Sequence, residues 1–93
     1  MTSEETRVFS LVDKYSRDQH CCFVTEMFLN EARTGYTLCF RPIGAEKDSP
    51  NRYACRYLHL EIAEVKIAAG EGKLTPSTTE SLDKELQVLG QSV

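Results

Sequence analysis

Apolar positions recur along this chain in two rhythms, and one stretch supports both. Val8, Leu11, Val12 and Tyr15 fall at i, i+3, i+4 and i+7, the single stripe of an amphipathic helix. Ser3, with Glu4 and Glu5 behind it, supplies a capping hydroxyl and the first-turn acids that suit the positive end of a helix dipole. Carried onward, the stripe meets Gln19, Glu26 and Asn30, so this helix is expected to end near residues 16–18.

The run HCCFVTEMFL (20–29) fits two patterns. Cys21, Phe23, Met27 and Leu29 alternate onto one face of a strand, with Thr25 among them. Asp18 could equally cap a helix whose stripe is Cys21, Val24, Phe28 and Ala32 and which stops at Gly35. YTLCFRPI (36–43) is richer in strand-favouring residues and is closed by Pro42 and Gly44. A strand needs a partner, and the nearest is 21–29 across the loop NEARTG. The expectation adopted is a hairpin, followed by the polar loop GAEKDSPN (44–51).

Ser49-Pro50 has the form of a helix start, a capping hydroxyl followed by proline at the first helical position. The residues after it are rich in Ala, Leu, Glu and Lys as far as Gly70. The alternation YLHLEI (57–62) argues for a strand inside this stretch, but the cap and the length favour one long helix. A last helix begins at Thr75-Pro76 or at Ser77, where Ser77-x-x-Glu80 fits a capping box. Leu82, Leu86 and Leu89 form its apolar face and Gly90 ends it. The predicted class is therefore α+β in one domain, 1–93. It has an N-terminal helix, a β-hairpin, a long central helix and a short C-terminal helix. The alternative is a mostly α chain with one short extended segment.

Composition narrows the function. Apolar residues at 41% and charged residues at 27% suit a folded soluble domain. No apolar run approaches the ~18 residues of a membrane helix. The acidic opening MTSEETRVF lacks the layout of a secretory signal, and Thr2 excludes N-myristoylation. A cytoplasmic location is the expectation. The formal charge is −3, which argues against tight nonspecific nucleic-acid binding. Basic residues concentrate in the middle: 34–73 holds six bases against five acids, while 1–33 holds six acids against four bases. The four cysteines, at 21, 22, 39 and 55, read as free thiols: their density is low for a disulfide scaffold, and two of them are adjacent.

Candidate chemistry centres on RYACRYLH (52–59). Projected as a helix, Ala54, Cys55, Leu58, Ile62, Val65 and Ala69 share an arc of roughly 100°, the expected core face. Arg52, Arg56, His59 and Lys66 cluster beside it, and Tyr53, Tyr57, Leu60 and Ile67 take the third side. Tyr and Arg are enriched at binding hot spots because they combine contact area with directional hydrogen bonds. The leading expectation is thus a non-enzymatic interaction module, of adaptor, inhibitor or immunity-protein type, that binds another protein and self-associates. Its surface would be Arg52, Tyr53, Arg56, Tyr57, Leu60, Lys66 and Ile67. The alternative is a binder of a nucleotide or short nucleic acid, with the cations gripping phosphate and the tyrosines stacking. A third reading pairs Cys55 with His59, i and i+4 on a helix, as zinc ligands of a regulatory domain. No Cys-x-x-Cys or His-x-x-x-His pair supports that. AAGEGK (68–73) lacks the span of a phosphate loop. No catalytic constellation stands out, and no cofactor is implied.

Overall fold

The computed structural model describes residues 1–44 and 54–90. The predicted helix start at Ser49-Pro50 and the candidate residues Arg52 and Tyr53 lie outside the described residues. The class is α+β, as expected: α1 (Ser3–His20), β1 (Cys22–Leu29), β2 (Gly35–Pro42), β3 (Arg56–Glu61), α2 (Ile62–Glu71) and α3 (Pro76–Gly90). The strands form one antiparallel sheet in the order β1-β2-β3.

Thr2, not Ser3, caps α1. Its hydroxyl accepts the Glu5 N–H at 3.1 Å, while the Glu5 carboxylate accepts the Thr2 N–H at 2.7 Å, a reciprocal box that satisfies two otherwise orphaned donors. The helix outruns its expected end by two residues or more. Ser16 is buried with its hydroxyl donating to the Val12 carbonyl, and His20 reaches Asp83 of α3 at 2.7 Å. Polar residues late in the stripe find partners inside the molecule, so the helix continues until Cys21 turns left-handed at φ 52°.

The hairpin of β1 and β2 is the predicted one. Its faces are not, because a bulge lies between Val24 and Glu26. Cys22 and Val24 point inward, the extra residue Thr25 donates its hydroxyl to the Cys39 carbonyl, and Met27 then resumes the inward face. One inserted residue reverses the phase of the alternation. Phe23 and Phe28 consequently share the other face.

The long central helix is corrected. Residues 56–61 are strand β3, paired with β2 from Phe40↔Arg56 to Gly35↔Glu61, and the helix begins only at Ile62. The alternation YLHLEI prevails because Leu58 and Leu60 complete a sheet face already holding Leu38 and Phe40. That cross-strand apolar match outweighs helix propensity, which is a weak preference. α2 ends at Gly72 (φ 72°), two residues past the expected Gly70, with the Arg7 guanidinium donating to the Ala69 carbonyl at 2.7 Å. α3 starts where predicted: the Thr75 hydroxyl accepts the Thr78 N–H, and Thr75 and Thr78 both donate to the Glu64 carboxylate.

All three helices pack on one side of the sheet. Val8 and Val12 of α1, Val65, Ala68 and Ala69 of α2, and Leu82, Leu86 and Leu89 of α3 meet the inward residues of all three strands in one core.

Candidate interaction surface

The opposite face of the sheet carries no helix among the described residues. The strand registers set its side chains in rows. Phe23 lies opposite Arg41; Glu26, Cys39 and Tyr57 form a second row; Phe28, Thr37 and His59 form a third; Gly35 lies opposite Glu61. Cys55, two residues before Tyr57, continues the β3 column. An antiparallel sheet with one solvated face ordinarily shows polar residues there. Here Phe28 is 46% exposed and Tyr57 57% exposed, with both signs of charge around them.

Local contacts hold several of these groups in place. The Arg17 guanidinium lies 5.5 Å from the centre of the Phe23 ring and is anchored by Asp13 at 2.7 Å. His59 approaches Glu61 at 3.4 Å. Its ring lies close to Gly35, where an added Cβ would come within 2.6 Å of it and would also collide with the Leu60 carbonyl oxygen, so glycine leaves room for the imidazole there. Tyr57 lies beside the thiols of Cys39 and Cys55, and its phenol is pushed above the ordinary range, first by Cys39 and then by Cys55. It therefore remains a neutral hydroxyl at physiological pH. Cys55 is exposed and Cys39 nearly buried. Cys22, inside the core, is pushed up to about 11 by burial and is an inert thiol.

Among its described residues, the sequence-derived surface does not form one patch. Tyr57 belongs to the open face. Leu60 is buried on the inner one, because residues three apart fall on opposite faces of a strand. Arg56 is exposed at the start of β3, opposite Phe40. Lys66 and Ile67 are exposed on α2. The helical stripe that joined Arg56, His59 and Lys66 does not exist. Cys55 and His59 do share a face, but four residues of extended chain separate them by roughly 13 Å, too far for one ion. Among the described residues no group of three His, Cys, Asp or Glu side chains is placed to hold a metal. Phe28, Thr37 and Glu26 were missed. The signal for the β3 column was the alternation Tyr57, His59, Glu61; Phe28 was hidden by the bulge.

No helix among the described residues is long and apolar enough to cross a membrane. Set against family models, curated proteins and solved structures, the chain matches none of them.

Proposed function

We propose that this domain is a non-enzymatic protein-interaction module that docks another protein on the open face of its sheet. The observation that carries the reading is the exposure of Phe28 and Tyr57 on the face the helices leave bare. Aromatic side chains there lose little entropy on docking and bury a large area. Arg41, Glu26, His59 and Glu61 around them supply both signs of charge, which fix register and exclude wrong partners more than they add affinity. The phosphate-ligand alternative drew on a helical row of Arg52, Arg56 and Lys66; of these, Arg56 lies on β3 and Lys66 on α2, and Arg52 lies outside the described residues.

Site-specific photo-crosslinking in cells tests the reading. A photoreactive residue at position 28 should give a discrete crosslinked protein, and one at exposed Glu80 on α3 should not. Equal labelling from both positions, or none from position 28, would count against the sheet face as the docking surface.

A further inference from the structure

The two outer edges of the sheet are treated differently. At the β1 edge, the Asp13 carboxylate of α1 accepts the Val24 N–H at 2.9 Å, and α1 lies against that strand. A side chain thus occupies an edge donor that would otherwise invite another strand. The β3 edge has no such cover among the described residues.

The polarity of that open edge follows from one hydrogen bond. The Ile62 N–H donates to the Thr34 carbonyl of the β2 side at 3.2 Å, and the register pairs Leu60 with Tyr36. Backbone groups alternate sides along a strand. Arg56, Leu58 and Leu60 therefore direct their N–H and C=O groups at β2, whereas Tyr57, His59 and Glu61 direct theirs outward. Among the described residues, no hydrogen bond to these outward groups comes from another strand of the sheet.

We propose that β3 pairs antiparallel with β3 of a second copy of this chain, in a register centred on His59. The inference rests on reading the chain as an interaction module and names one of its partners. In this register His59 exchanges its N–H and C=O with its own counterpart. The Glu61 N–H donates to the Tyr57 carbonyl of the second copy, and the reciprocal bond forms by symmetry. Side chains match as well. On the inner face Leu58 lies beside Leu60 of the second copy, extending both cores across the joint. On the outer face the neutral Tyr57 phenol lies beside the Glu61 carboxylate of the other chain. Shifting the centre to Leu58 instead sets the charged Arg56 beside Leu60 and removes the Tyr57–Glu61 match. A two-fold axis at His59 closes the assembly as a dimer. It also joins the two open faces into one continuous surface with Phe28 and Tyr57 repeated on it.

Charge reversal at the axis is the test. Light scattering coupled to size exclusion should find the wild type at about twice the 10.5 kDa chain mass, and His59→Lys and His59→Glu each at the chain mass, since like charges then face across the axis. An equimolar mixture of the two variants should return to twice the chain mass. Hydrogen exchange on the wild type needs no variant: the Tyr57 and His59 amides should be protected in concentrated solution and lose protection on dilution. A wild type that stays monomeric at high concentration, a His59→Lys variant that stays dimeric, or β3 amides unprotected at every concentration would each overturn the proposal. The two readings separate cleanly. A monomer that still crosslinks a partner from position 28 defeats the edge pairing alone. A β3 dimer with no crosslink from position 28 defeats the face docking alone.

Discussion

The two faces of the three-stranded sheet share a backbone and differ in almost everything else. Inward, Leu38, Phe40, Leu58 and Leu60 lie beneath three helices and are nearly or fully removed from water. Outward, Phe28 and Tyr57 remain about half exposed among charged residues and thiols. The inner face holds the fold together, since burial of apolar area is the main stabilising term. The outer face is spared that task, so its residues are free to serve contacts with other molecules. The sharpest break of this comparison is Phe40→Ala against Phe28→Ala. Losing Phe40, fully buried on β2, the middle strand of the sheet, should cost about 3–5 kcal/mol, the range for large-to-small changes in a packed core. Phe28→Ala should cost well under that. Urea unfolding of both variants checks the difference; equal losses would mean that the outer face is structural.

Gly35 ties the two faces together and gives the next largest effect. An added Cβ there meets the Leu60 carbonyl, which is backbone in the neighbouring strand, as well as the His59 ring. The ring can swing away, but the backbone oxygen cannot move without displacing β3. Gly35→Ala should therefore destabilise by about 1–3 kcal/mol, as overpacking does, and should leave β3 amides exchanging faster. A variant as stable as the wild type would show that β3 is loosely held.

How far the sequence revealed this arrangement depended on whether one periodicity ran uninterrupted. α1 and α3 were legible because Val8–Val12 and Leu82–Leu86–Leu89 repeat at helical spacing beside capping residues. The hairpin was legible as a pair of strands, yet its faces were not: an inserted Thr25 changes phase without leaving a compositional mark. Residues 56–61 were misread because Ala, Leu and Glu in the following helix lent their propensity to the strand before it. What decided the matter was nonlocal, the pairing of Leu58 with Leu38 and of Leu60 with Tyr36. The candidate surface suffered accordingly. Tyr57, a candidate surface residue, is exposed on the open face, but Leu60 was grouped with it on a helical face and belongs to the core. Phe28 was not marked at all.

A smaller effect concerns the junction that keeps the helical layer seated on the inner face. Asp83 of α3 accepts from Tyr15 and engages His20, both of α1, at 2.7 Å each. Its carboxyl is held below the usual range by His20 first and Tyr15 second. A carboxyl whose folded pKa is depressed adds stability above its unfolded pKa and loses it as pH falls through the folded value. The junction should thus be intact at neutral pH and weaken in acid, below about pH 4. Asp83 is more than half exposed, so solvent screening limits its worth to about 0.5–1 kcal/mol. Asp83→Asn should lower stability by that amount at pH 7 and flatten the acid end of the stability profile. A variant with an unchanged profile would place the acid sensitivity elsewhere.

The least effect on stability is expected where the effect on binding is greatest. Phe28→Ser combined with Tyr57→Ser removes both exposed aromatics of the described residues while leaving every inward contact of the sheet in place. Surface changes of this kind stay within about 0.5 kcal/mol each, so the melting temperature should barely move. Crosslinking from a photoreactive residue at position 37, the Thr37 site between them, should nevertheless fall severalfold, because aromatic anchors at the centre of a contact carry most of its energy. Phe28→Ser alone, which leaves Tyr57 and its match to Glu61 in place, should keep a β3-edge dimer intact. Stability and docking then separate along the plane of the sheet, and docking and self-pairing separate along its edge. A large drop in melting temperature would instead place Phe28 and Tyr57 with the core residues, and the two faces would no longer differ in kind.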